Sequence, residues 1–434
     1  MRHIAIVGSG PAGYYTAEAC LRMWDKDVRI DMIDRMPVPF GLLRSGVAPD
    51  HQAIKRVARD FEQVAMTDQV RFVGHVTVGQ DIDVAEILEL YDAVVIATGA
   101  PQDRPLGIPG ADLPGVVGSA AFFGWYNGHP EQAGLNPPLS GSAVLIGNGN
   151  VASDVARVLA KTPVELAGSD MAAHAREALG RERPSHIVIA GRRGPHQMTM
   201  TARELGEIAD LKGAVAHVDR ADLPPVSADS GLAAGPRKAM NMLRAMAALP
   251  RGEAPVEIDF RFFSRPIAIE GNGRVERVLF ERTKVDAHGQ AVGVGEIHAE
   301  PASLVVSCIG YRTPPIAGVP YDAGLGRFAS QDGRMGDGLY CVGWARRGPT
   351  GTIGANRPDG YRIAELIGQD VPGGSGKEGR AGLDRLLAAR GVDLVTFRDW
   401  QNIDRLEREH ARAGAPREKI IAVDEMMAAA HMVG

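Results

Sequence analysis

Two stretches of this sequence have the residue types to cradle a phosphate-bearing nucleotide. Gly8-Ser9-Gly10-Pro11-Ala12-Gly13 follows an apolar run from Arg2 to Val7 and opens a helical stretch, so a complete G-x-G-x-x-G lies between strand and helix. Gly8 makes the tight turn, Gly10 keeps side chains out of the path of a pyrophosphate, and Gly13 lets helix and strand pack closely. Pro11 and Ala12 stand in the first helical turn, whose free N–H groups and positive dipole end attract an anion. The next β-branched run, Arg29 to Ile33, ends in Asp34, 21 residues past Gly13, where a carboxylate can accept hydrogen bonds from ribose hydroxyls.

About 140 residues later the unit recurs. Ala143-Val144-Leu145-Ile146 runs into Gly147-Asn148-Gly149-Asn150-Val151-Ala152, a G-x-G-x-x-A. Asn150 is placed to cap a helix whose apolar face is Val151, Val155, Val158 and Leu159. The following strand, His186 to Ala190, ends in Gly191-Arg192-Arg193-Gly194. An acid at this place favours NAD. A guanidinium pair suits the 2′-phosphate of NADP, because Arg offers planar, bidentate and permanently charged recognition. An insertion at 162–185 lengthens the usual spacing.

The elements that must position these turns alternate short β-branched runs with amphipathic helices, which predicts an α/β fold with parallel strands. The strand candidates are 2–7, 28–33, 92–97, 142–147, 186–190, 303–309 and 338–342. Residues 49–65 read as a helix, with Pro49 in its first turn and Ile54, Val57, Phe61 and Val64 at helical spacing. Residues 221–236 read as a loop, 371–381 as a surface linker, and 400–413 as a charged, exposed helix.

The bulk numbers narrow the class. A chain of 434 residues is long for one core and suggests two domains. At 45% hydrophobic and 23% charged it reads as globular, and a net charge of −5 offers no basic field for nucleic acid. Cys20, Cys308 and Cys341 form neither a CxxC nor a zinc pattern, so disulfide-exchange chemistry is disfavoured and no metal is expected. The first strand starts at once with no leader, and every apolar run is too short to span a membrane, so the expected location is the cytoplasm.

Two further segments point to a flavin. The buried run Tyr91 to Ile96 closes on Ala97-Thr98-Gly99, and Gly338 to Val342 closes on Gly343. Both resemble segments of the two-dinucleotide flavoprotein reductases, where the second usually ends Gly-Asp; here it ends Gly343-Trp344. Together with PFGLLRSGVAPDH at 39–51, GRRG at 191–194 and GWARRGPTGTIGANRPDG at 343–360, the two turns make the chain resemble the adrenodoxin reductase family, NADPH:ferredoxin reductases with bacterial homologues. The likeness is weakest in 212–300 and after 370.

The resemblance implies two Rossmann-like dinucleotide-binding domains arranged as in glutathione reductase without its dimerisation domain. Residues 1–103 and 320–434 would form a discontinuous FAD domain, with an NADP domain at 104–319. It implies FAD contacts from the first glycine turn, Asp34, Arg35, Gly41, Leu42, Val47, Ala97, Thr98, Gly99, Gly343, Trp344, Gly351, Thr352 and Ile353, with a strand around Gly41–Gly46 passing the flavin. NADP would touch Gly147, Asn148, Gly149, Asn150, Val151, Arg192, Arg193, Glu204 and Gly351. His51, Glu207 and Trp344 match positions near the nicotinamide and flavin, and Arg237, Lys238 and Arg244 match a helix that docks an acidic ferredoxin. The implied reaction is hydride transfer from NADPH to FAD, then single electrons to ferredoxin. Two rivals are a glutamate-synthase-small-subunit-like flavoprotein, whose cysteine-rich cluster domain is missing here, and a non-catalytic nucleotide-binding subunit.

Overall fold

The computed structural model describes residues 1–252 and 254–432. The chain divides into two compact units, one of Met1–Gln102, Asn127–Pro130 and the residues from Tyr311 onward, the other of Asp103–Tyr126 and Glu131–Gly310. Each is α/β and Rossmann-like.

The first unit is built on a six-stranded sheet in the order Arg334–Gly336, Leu339–Cys341, Ala93–Ile96, Arg2–Val7, Val28–Asp34, Val70–Gly74. All neighbours are parallel except the first pair. Both faces are covered, which is why these strands read as apolar runs rather than alternating patterns. Val7 lies opposite Ile33 on one side and Ile96 on the other. Three strands therefore end level, and the turn after Val7 sits between Asp34 and the Ala97-Thr98-Gly99 segment.

The second unit carries a six-stranded parallel sheet in the order Val116–Gly118, Leu304–Ser307, Ser142–Ile146, His186–Ala190, Val256–Arg261, Ala214–Val218. Helices Asn150–Ala160, Ala202–Ala209 and Ala234–Met246 cover one face. An antiparallel meander, Ser264–Glu270, Arg277–Val285 and Ala291–Pro301, packs Ile269, Val278 and Phe280 on the other.

Several elements differ from the sequence reading. The expected helix over 49–65 is two pieces, Gln52–Lys55 and Ala58–Ala65, because the Val57 and Arg59 amides reach carbonyls only three residues back and tighten the chain between them. Gly41–Gly46 is not a strand: Leu42–Ser45 coils into one helical turn, with Gly46 N and Val47 N both donating to Leu42 O. The 371–381 stretch is no free linker, since Ser375 N donates to Asp92 Oδ1 (2.9 Å) and Lys377 Nζ to Tyr91 O (2.9 Å). The charged helix, Phe397–Glu409, is amphipathic and buries Phe397, Trp400, Ile403 and Glu407. No helix among the described residues is long and apolar enough to cross a membrane. The three cysteines are unpaired.

Candidate functional site

In the first turn Gly8 has φ +110°, and a Cβ there would stand 2.6 Å from Ala97 O. A Cβ at Gly13 would stand 2.3 Å from Gly8 O, so the helix lies as close to its strand as the backbone permits. Gly10 is the opposite case: nothing lies within 4 Å of where its Cβ would be. It is also the N-cap of helix Pro11–Trp24 and supplies no side-chain hydrogen bond to it. The first amides of this helix therefore face open space with their hydrogen bonds unmade, which is the cradle a pyrophosphate needs.

Asp34 stands at this turn but is partly committed. Its Oδ2 accepts from Ser9 N (2.8 Å) and Ser9 Oγ (2.6 Å), and its Oδ1 from Met36 N (3.0 Å). A carboxylate has about four acceptor sites, so room for a ribose hydroxyl remains. Arg35 beside it is exposed. Phe40 N donates to Ser9 O (3.0 Å), and a Cβ on Gly41 would lie 3.1 Å from Gly10 Cα. The segment carrying Leu42 and Val47 thus leans directly on the glycine turn, with Leu42 38% exposed. His51 precedes helix Gln52–Lys55 without capping it.

On the other side of the strand, the Thr98 hydroxyl is buried with no hydrogen-bond partner, an orphan of the kind that a bound polar group satisfies. Gly99 O accepts from Thr313 Oγ1 (2.8 Å). Gly343, at φ +69°, donates its N–H to Asp359 Oδ2 (2.6 Å). Asp359 is buried and also pairs with Arg346 and Arg347. The turn that lacks an acid at position 344 is thus met by a carboxylate 16 residues after Gly343, which motif reading overlooked. Trp344 donates Nε1–H to Thr350 O (3.0 Å) and stacks on Tyr311 with centroids 6.1 Å apart. Gly351 and Thr352 are exposed, and Thr352 precedes the short helix Ile353–Ala355.

The second turn repeats the plan. Gly147 has φ +127°, and a Cβ there would meet Cys308 O at 2.5 Å. The N-cap is Gly149, again without a side-chain bond, and not Asn150 as the sequence suggested. Asn150 is the first helical residue, and its Oδ1 is drawn away to accept from Thr201 N (3.1 Å). Val151 is half-buried behind it. A Cβ on Gly191 would lie 2.2 Å from Asn148 Nδ2, which accounts for the glycine opening GRRG.

Arg192 is exposed and Arg193 half-buried. Their backbones are anchored, Arg192 O by Thr283 Oγ1 (2.7 Å) and Arg193 O by Phe263 N (3.1 Å). Neither guanidinium makes a hydrogen bond or ion pair among the described residues. Two unspent cations on a fixed backbone form a ready anion site. Glu204 accepts from Thr201 Oγ1, and its carbonyl accepts from Ser153 Oγ (3.3 Å), tying helix Ala202–Ala209 to helix Asn150–Ala160. Glu207 pairs with Arg157 (3.3 Å), which is fully buried, and with Arg203 (3.2 Å). Its carboxylate therefore neutralises a buried cation.

Arg237, Lys238 and Arg244 lie on helix Ala234–Met246 but do not form one exposed face. Arg244 is drawn inward, donating to Asp229 Oδ2 (2.6 Å) and Pro224 O (3.1 Å). Arg244 and His196 together hold the Asp229 carboxyl below the usual carboxylate range. Arg237 folds back onto Leu232 O (2.9 Å), and Lys238 is exposed. Among the described residues no cluster of three or more His, Cys, Asp or Glu could hold a metal ion.

Comparison with known proteins bears on these geometries. The family model for pyridine nucleotide-disulphide oxidoreductases matches residues 2–187. The NADPH-ferredoxin reductase FprA of Mycobacterium leprae is 42% identical over 99% of both chains. The mitochondrial NADPH:adrenodoxin oxidoreductase of Bos taurus is 40% identical over 98% of this chain and 91% of that one. The solved structure of Mycobacterium tuberculosis FprA in complex with NADPH is similar with a TM-score of 0.95 at 39% identity, covering 99% of each chain.

Proposed function

The chain belongs to the adrenodoxin reductase family of NADPH–ferredoxin reductases, and from that premise we propose that it is an FAD-dependent oxidoreductase passing electrons from NADPH singly to an iron–sulfur ferredoxin. The observation that carries this reading is the pair of open, uncapped helix starts, one beside an acid and the other beside two unspent guanidinium groups. FAD, when bound, supplies the exchange between a two-electron donor and a one-electron acceptor.

The residues of this chain hold and orient. In the first unit the amides after Gly10 bind the pyrophosphate of FAD and Asp34 accepts from its ribose. Ala97 to Gly99, Leu42, Val47, Gly343, Trp344 and Gly351 to Ile353 border its flavin half. The orphan Thr98 hydroxyl donates to an acceptor there. In the second unit the amides after Gly149, with Asn150 and Val151, bind the NADP pyrophosphate. Arg192 and Arg193 clamp the 2′-phosphate, and Glu204 holds the adenosine ribose. His51 shapes proton supply beside the first site. Glu207, bound to Arg157, acts as a positioning residue that keeps helix Ala202–Ala209 on the helix of the second turn. Arg237 and Lys238 are the exposed cations for an acidic partner. Three separate thiols suit a reducing compartment, and we place the reaction in the cytoplasm.

The decisive experiment is an absorbance titration of the purified protein. A bound flavin should bleach with NADPH at concentrations far below those needed of NADH, and added ferredoxin should restore the colour. A colourless chain that takes up no FAD would refute the assignment.

A further inference from the structure

Helix Phe397–Glu409 carries a carboxylate with no access to water: the Glu407 side chain is 0% exposed. Arg44 meets it with two hydrogen bonds, Nη2 to Oε1 (2.5 Å) and Nη1 to Oε2 (2.8 Å). Arg417 Nη1 (3.1 Å) and Ile420 N (3.0 Å) complete its shell. Burial alone would raise this carboxyl, but Arg44 and Arg417 outweigh that and hold it below the usual carboxylate range. It is a buried carboxylate held between half-buried cations.

What it holds is the turn that leans on the first glycine cradle. Arg44 lies in Leu42–Ser45, next to Gly41, whose Cβ position is 3.1 Å from Gly10 Cα. Two further buried residues grip the same turn by its carbonyls. Lys419 Nζ donates to Arg44 O (3.2 Å), and Asn127 Nδ2 to Ser45 O (3.2 Å) and Val47 O (3.1 Å). Lys419 Nζ also donates to Asn127 Oδ1 (3.1 Å), so the grip closes on itself. One turn is thus pinned from the front by Phe40 N on Ser9 O and from behind by Asn127 and by Glu407 and Lys419, the last two over 360 positions away.

We infer that Glu407 is a positioning residue for the first dinucleotide site: its anion, with Lys419, sets the distance of the Gly41–Val47 turn from Gly10 and so the width of the cradle. This rests on reading that cradle as the FAD site. Glu407→Gln keeps the shape and removes the charge, leaving two half-buried arginines undercompensated. The turn then relaxes, and bound FAD loses its fitted wall.

The test measures FAD affinity of apo-protein by flavin fluorescence quenching, beside thermal melts. The reference variant is Asp92→Asn, which weakens another buried carboxylate, the one that accepts from His3 N and Ser375 at the opposite end of the strands. Glu407→Gln should raise the FAD dissociation constant about tenfold or more, and Asp92→Asn by less than about twofold even where both lower the melting temperature. Glu407→Asp, which keeps the charge, should recover most of the affinity. Lys419→Met should weaken FAD in the same direction and serves where Glu407→Gln does not fold. FAD affinity unchanged in both Glu407→Gln and Lys419→Met, or weakened equally by Asp92→Asn, overturns the inference while leaving the FAD reading intact. A wild-type chain that binds no FAD overturns that reading and this inference with it.

Discussion

The two glycine turns share a backbone plan and differ in what surrounds it. In the first, the third motif position must be glycine, because a Cβ on Gly13 would meet Gly8 O at 2.3 Å. In the second the same position is Ala152, whose methyl is buried in the core without conflict. The charged residues differ in the same sense. Asp34 is part of the frame of its turn, taking hydrogen bonds from Ser9 and Met36. Arg192 and Arg193 are outside the frame, held only by their backbones. The first turn is thus knitted into the fold by its charged residue, whereas the second carries two charged side chains that its fold does not use. On the proposed reading, changes of nucleotide selectivity should leave stability intact in the second and lower it in the first.

The glycines should break this contrast most visibly. Gly13→Ala forces helix from strand and should abolish FAD uptake and lower the melting temperature sharply. Ala152→Gly should cost about 1 kcal/mol of helix stability with both nucleotides still bound. Flavin content per chain and thermal melts check both, and a Gly13→Ala protein that stays fully yellow would show the first turn to be as tolerant as the second.

The charged residues come next. Arg192→Ala with Arg193→Ala should weaken NADPH by about a hundredfold or more, at roughly 1.5–3 kcal/mol per charged hydrogen bond lost and at least one bond from each side chain, with NADH unchanged. The melting temperature should stay put, since neither side chain is bonded among the described residues. Asp34→Ala should by contrast lower FAD affinity and melting temperature together. Separate titrations of the two nucleotides distinguish these outcomes.

Acid should then reveal a carboxylate that each unit depends on. Glu407 is depressed by Arg44 and Arg417 against its burial. Asp259 in the second unit is depressed by His186, Arg251 and Arg261 against its own burial. A depressed carboxyl contributes stability that is present above its unfolded pKa and lost as pH falls through the folded one, about 1.4 kcal/mol per unit of depression. Stability should therefore decline below about pH 4.5 for Glu407 and about pH 3.8 for Asp259, the ordinary values of the two groups. Glu407→Gln and Asp259→Asn should each flatten that decline, which acid denaturation curves measure.

The smallest effect belongs to the exposed cations. Replacing Arg237 and Lys238 should weaken ferredoxin association by a few-fold at low salt and little at high salt, as surface charges contribute roughly 0.2–1 kcal/mol each. Arg244→Ala should instead lower stability, because its loss leaves the buried Asp229 carboxylate with His196 alone. Equal effects of all three on association would restore the three-residue patch read from sequence.

How much could be read in advance followed the physics of burial. Strands covered on both faces, such as Arg2–Val7 and Ser142–Ile146, announce themselves as apolar runs. Val256–Arg261 escaped because Glu257, Asp259 and Arg261 alternate along it and meet His217, His186 and Glu300 in turn through polar rather than apolar contact. The meander escaped because its last strand, Ala291–Pro301, is largely exposed. Asn150 looked like a cap because local sequence cannot show that Thr201 N, 51 residues on, claims its side chain. Arg244 looked exposed because its helix pattern carries no sign of Asp229 beneath it.

Sequence by itself determined both glycine turns and the different charges beside them, because φ-permissive glycines, an open helix end and the residue closing the next strand all lie within one supersecondary unit. It also specified the family through segments contiguous in the chain. Only the tertiary structure decided which charged groups are spent and which are free, since Arg192 and Arg244 are the same residue type with opposite fates. The partners Glu407 for Arg44, Asp359 for Gly343 and Arg157 for Glu207 arise where distant segments are buried together, and desolvation there demands a counter-charge that no local pattern encodes.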